Sequence, residues 1–130
     1  MRGEGGSDVL NVHDAGDTTD NTGAVLTSAA LSGLSPAAIT YATVEDLNIH
    51  LGLGDDSLRI QSTEATTDTS VDDAGGADVI TISNATDLLH SIDGLLTVDG
   101  GPGSDAVSDT IGAIPHDTLL LSDVGDAADE

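Results

Sequence analysis

The stretch "LNIHLGLGDDSLRI" (residues 47–60) carries two aliphatic pairs on a fixed spacing, with a glycine- and aspartate-rich turn between them. Leu47 and Ile49 alternate with polar neighbours, and eleven residues later Leu58 and Ile60 do the same. Another eleven residues bring Thr69 and Val71 in "TSV", and eleven more bring Ile80 and Ile82 in "ITI". Alternation at period two marks a half-buried strand with one face turned to a core. The turns alternate as well. Asp56 and Asp78 each stand two residues ahead of an aliphatic, 22 residues apart, while the intervening "QSTEATTDT" has no glycine. Two strands per 22 residues, each pair stacked about 4.8 Å above the last, predict an all-β parallel β-solenoid or β-roll with irregular caps. Asp56 and Asp78 are then expected to stack on one edge.

Composition narrows the class. The 130 residues are enough for about one domain. Tyr41 is the one aromatic residue and there is no cysteine, so the core must be thin and aliphatic, and no disulfide can staple it. Twenty-four acidic residues face two arginines, Arg2 and Arg59, for a net charge of −22. On that balance neither nucleic acid nor an anionic membrane is an expected partner. No apolar run is long enough for a membrane span, and no signal peptide is visible. The regular aliphatic spacing argues against the disorder that acidic, aromatic-poor chains often show.

Four segments share a turn pattern. "GGPGSDAVS" (100–108) matches G-G-x-G-x-D-x-U-x at every defined position, through Gly100, Gly101, Gly103, Asp105 and Val107. "LGLGDDSLR" (51–59) misses only the first glycine, "DAGGADVIT" (73–81) keeps Gly76, Asp78 and Ile80, and "GEGGSDVLN" (3–11) reaches Leu10 through Asp8. These resemble the calcium-binding nonapeptides of the RTX, or hemolysin-type, repeat family. The resemblance implies calcium at the turns, with Asp56 and Asp78, joined by Asp55, Gly52, Gly54 and Gly76, as first candidates and Asp8 and Asp105 as second. Family nonapeptides run back to back, whereas these are separated by further strands and insertions. "DAGD" (14–17) adds Asp14 and Asp17, which could share a cation across a tight turn, because calcium gathers six to eight oxygens.

A longer period overlies the short one. Shifted by 109 residues, "DVLNVHDAGDTTD" (8–20) lies on "DTLLLSDVGDAAD" (117–129) with Asp8, Leu10, Asp14, Gly16, Asp17 and Asp20 matched, and with Val12 over Leu121. Residues 1–116 are therefore expected to form one repeat module, and 117–130 to open a second. The remaining segments are less regular. "LTSAALSGLSPAAITY" (26–41) fits either a short helix ended by Pro36 or two irregular rungs. "LTV" (96–98) reads as a strand, a turn of helix fits Leu88 to Ile92, and "AVSDTIGAIPHD" (106–117) reads as an insertion that loops out or adds an incomplete coil.

Chemistry is sparse. His13, His50, His90 and His116 stand at no metal-ligand spacing, and no nucleophile motif or phosphate loop occurs. The expected role is structural and non-enzymatic: a calcium-stabilised module of a repetitive extracellular or cell-surface bacterial protein, such as an adhesin, a biofilm matrix component or a filament. Its expected partners are itself or neighbouring modules, head to tail. Two other roles compete. A carbohydrate- or ice-binding surface needs a repeated ladder of threonine or aromatic residues, which only "TDT" (67–69) approaches. A C-terminal RTX-type domain of a secreted enzyme needs contiguous nonapeptides.

Overall fold

The structure, a computed structural model, describes residues 1–83 and 91–103 together with the backbone of 106–109 and 119–122. Among the described residues eleven strands run in chain order. They are β1 (Val9–His13), β2 (Thr22–Thr27), β3 (Ala30–Ser32), β4 (Ile39–Thr40), β5 (Asp46–His50) and β6 (Ser57–Ile60), then β7 (Asp68–Asp72), β8 (Val79–Ile82), β9 (Leu96–Asp99), β10 (Ala106–Asp109) and β11 (Leu119–Ser122). They form two sheets. One is five-stranded, in the order β1-β5-β7-β9-β11, and every pair in it is parallel. The other is six-stranded, in the order β10-β8-β6-β2-β3-β4, and is mixed.

The eleven-residue beat sends β5 and β7 to one sheet and β6 and β8 to the other, and β9 and β10 keep the alternation after a longer step. Leu47 registers with Thr69 and Leu58 with Ile80, so the 22-residue spacing is the stacking register of both sheets at this point. All seven aliphatics of the beat, Leu47, Ile49, Leu58, Ile60, Val71, Ile80 and Ile82, are buried and share one core with Leu26, Leu96 and Val98. Successive positions along β5, β6 and β8 alternate between buried and half-exposed or exposed, as the period-two pattern demands.

The all-parallel β-solenoid or β-roll is not what forms. Two open sheets face each other instead, and the second is mixed because β2, β3 and β4 run antiparallel. The 22-residue step also holds only once in each sheet. Thr69 pairs Leu96 and Ile80 pairs Val107, steps of 27, and Leu10 pairs Leu47, a step of 37. The physical cause of the antiparallel part lies in residues 27–33. Thr27 accepts hydrogen bonds from the Ala29 and Ala30 amides at its Oγ1, and Gly33 takes φ of +90° against the Ala24 backbone. The chain therefore turns back as a hairpin rather than crossing to the other sheet. Neither the helix nor the irregular rungs expected over 26–41 occur. "AVSD" is a strand, β10, parallel to β8, while the rest of that insertion and the expected helical turn around Leu88 lie outside the described residues.

This hairpin closes one end of the core. Tyr41, 5% exposed, donates its hydroxyl to the Thr27 carbonyl at 2.5 Å. Burial, followed by the Glu64 carboxylate, pushes its pKa up to about 12. Ile60, fully buried at the centre of the mixed sheet, offers the sharpest check on the packing. Ile60→Val should cost about 1 kcal/mol, whereas Ile60→Asp, an unpaired buried charge, should abolish cooperative unfolding followed by circular dichroism.

Candidate functional site

The strands deliver aspartates to the turns, and the turns stack as the strands do. At the edge preceding β6 and β8, Asp56 and Asp78 lie one above the other, 2% and 0% exposed. The Asp56 amide donates to Asp78 Oδ1 at 2.7 Å. Asp56 in turn receives the Asn21 amide at Oδ1 (2.8 Å) and the Gly52 amide at Oδ2 (3.0 Å). Beside this buried ladder runs an exposed one, in which the Asp55 amide donates to Asp20 Oδ1 and the Ala77 amide to Asp55 Oδ1. Each carboxylate thus holds the backbone of an adjacent layer. Charged acceptors make the stronger kind of hydrogen bond, and these use peptide N–H groups in place of the cations the chain lacks.

The glycines serve the same stacking. A Cβ on Gly52 would stand 2.6 Å from the Asp17 carbonyl, and one on Gly54 2.7 Å from the Thr19 carbonyl. Gly76, at φ +147°, lies directly against the Gly54 carbonyl. Their job is close approach of one turn to the next.

Asp14 and Asp17 join the site. Asn21 bridges it, donating its side-chain amide to Asp14 Oδ2 at 3.0 Å and its backbone amide to Asp56. Desolvation raises the Asp14 pKa, the charges of Asp17 and Asp56 raise it further, and the Asn21 hydrogen bond opposes them. Asp17 is held below its ordinary value by the Thr19 side chain and then the Thr19 amide, which donates to Asp17 Oδ1 at 2.9 Å. Asp8 sits elsewhere, at the turn entering β1, where its amide donates to Glu45 and its carbonyl accepts from Glu45 and Asp46. Asp105 lies outside the described residues.

Hard oxygen donors of this kind suit calcium. In this arrangement both Asp56 oxygens receive N–H groups, and an amide donor faces Asp14. Among the described residues no three acidic or histidine side chains converge as a metal site.

A second acidic edge, at the ends of β7 and β9, escaped the sequence pattern. Asp72 and Asp99 are registered neighbours, and each accepts an amide two residues on, from Ala74 and Gly101. Asp73 is fully buried beside them, close against Gly101. The sequence signal was the recurrence of "DAGG" (73–76) and "DGG" (99–101), which places an aspartate just ahead of paired glycines. His50 Nδ1 lies 3.1 Å from Asp72 Oδ2, and the His50 ring stacks on His13 with centroids 4.6 Å apart and planes within 5°. A separate cavity of about 270 Å³ is lined by Ser28, Tyr41, Thr43, Glu64 and Thr67. No helix among the described residues is long and apolar enough to cross a membrane.

Two outcomes follow. Asp56→Ala should cost about 2–4 kcal/mol, since the buried Gly52 amide and the half-buried Asn21 amide lose a charged acceptor, while Asp20→Ala, on the exposed ladder, should cost under about 1 kcal/mol in a urea titration. For pH the two aspartates act in opposite senses. The raised pKa of Asp14 means the folded chain binds that proton more tightly than the unfolded one, so stability rises as pH falls from neutral through its folded value. The lowered pKa of Asp17 gives stability that is present above its unfolded value and lost as pH drops through the folded one. Asp14→Asn should therefore raise the melting temperature at pH 7 and flatten the gain on mild acidification. In comparison with known proteins, the chain matches no family model, no curated protein and no solved structure.

Proposed function

We propose that the chain is a structural, non-catalytic module of a repetitive bacterial surface or matrix protein, joined to like modules in a tandem array. One observation carries this reading. β1 and β11 are 109 residues apart in matching sequence, and they occupy opposite edges of the same parallel sheet. They also fall in the same columns. Leu10 heads a column through Leu47, Thr69 and Leu96 that ends at Leu119, and Val12 heads another through Ile49, Val71 and Val98 that ends at Leu121. The strand that opens the module thus recurs as the strand that closes it, with direction and register kept. β11 is read as the β1 of a following module, and the β9–β11 pair as a junction between modules.

The resemblance of the turns to RTX nonapeptides is what points to an extracellular setting. Cations enter this reading as counter-ions to a charge of −22 rather than as residents of a closed cage. Calcium should raise the melting temperature, with magnesium at equal ionic strength matching most of the gain.

The array itself is tested by joining residues 1–116 to a second copy that begins at Asp8. Modules sharing a junction unfold together, because repeat stability is a sum of unit and nearest-neighbour contributions. The two-module chain should melt in one transition above the single chain. Two independent transitions at the single-chain temperature would refute the tandem reading.

A further inference from the structure

The β9–β11 pairing within one chain raises the question of what happens between chains. β1 pairs with β5 over five residues. β1 is also fastened beyond its strand: the Asp14 amide donates to the His50 carbonyl, the Glu45 and Asp46 amides donate to the Asp8 carbonyl, and Asn48 donates to Asn11. Its far edge carries no partner strand among the described residues, and Leu10 and Val12 are only partly buried against the core. We propose that the β9 edge is a docking site for β1 of a second copy of this chain, which takes the place of β11 in parallel register, Leu10 opposite Leu96 and Val12 opposite Val98.

The proposal rests on the tandem reading, and charge supplies a further argument. That register sets His13 opposite Asp99, where β11 offers Ser122. Asp99 is the registered neighbour of Asp72, the residue that already holds His50. Docking would complete a column of Asp99 from one copy, then His13, His50 and Asp72 from the other, with an acid flanking each end of the stacked imidazole pair. In a chain with two arginines, histidine against aspartate is the charge pairing within reach at this seam. The contact is heterologous, since an N-terminal edge meets a C-terminal edge, so repeated docking gives an open polymer rather than a closed dimer. Mutual repulsion of two chains at −22 opposes it, and salt or divalent cations favour it.

The chain has no cysteine, which makes engineered disulfides clean reporters. Within one chain Asn11 and Thr97 stand three strand spacings apart, about 14 Å, too far for a disulfide, which needs Cα atoms within about 7 Å. Asn11→Cys and Thr97→Cys chains, mixed in high salt and oxidised, should give mixed dimers well above the statistical half. Adding His13→Ser to the Asn11→Cys chain should reduce that excess severalfold. In parallel, Thr97→Cys with Leu120→Cys in one chain reports the β9–β11 junction, because these positions are registered partners. If the intrachain bond closes and mixed dimers stay statistical, docking between chains is wrong and the tandem reading stands. If neither bond forms, both fall. If mixed dimers dominate whether or not the intrachain bond closes, the docking site is established, and failure of the intrachain bond then counts against the tandem reading alone.

Discussion

Carboxylates in this protein have almost no cations to meet. Two arginines against 24 acids leave peptide N–H groups as the available counter-charge, and the turns are built to present them. The Asp56 amide is both a rung of the turn and the donor to Asp78, and Asp56 itself receives Asn21 and Gly52. The turns at 20–21, 55–56 and 77–78 are therefore tied to one another by charge-assisted hydrogen bonds at the edge, in addition to the strand ladder in the sheet. Removing a carboxylate leaves a buried amide without its acceptor, which is costlier than losing an exposed ion pair. The close turn spacing and the glycines at 52, 54 and 76 go with that edge.

The beat of the strands was open to reading because two independent signals coincide. Leu47 to Ile82 keep period two within each strand and period eleven between strands, and burial selects for both. The stacking of Asp56 on Asp78 comes with it. What failed was extrapolation of one step to the whole chain. Registers of 22, 27 and 37 residues coexist because loop length is only weakly constrained by closure entropy. The hairpin of β2 and β3 was hidden since Ala, Leu and Ser over 28–34 satisfy helix and strand alike, and the decision falls to Thr27 and Gly33.

The candidate site was half visible for the same reason. Asp14 and Asp17 stand out as a local pair, but their approach to Asp56 spans about forty residues and depends on Asn21, which no local pattern singles out. Asp73 was missed although it is fully buried, since its turn carries its paired glycines two residues after the aspartate rather than before it. Sequence spacing shows which carboxylates share an edge. Whether they are filled by amides or by a cation depends on contacts between distant segments.

β3 and β4 widen one sheet only. In an array where β11 serves as the next β1, each unit adds four strands to the parallel sheet and six to the mixed one. At about 4.8 Å per strand the mixed side gains about 10 Å more per unit. A straight rod cannot absorb that difference. The array must arc with the mixed sheet on its convex side, or shed β3 and β4 as a spur at every unit. A short insertion far from the aspartate ladder would then set the curvature of the whole assembly, and trimming residues 28–40 would be the way to straighten it.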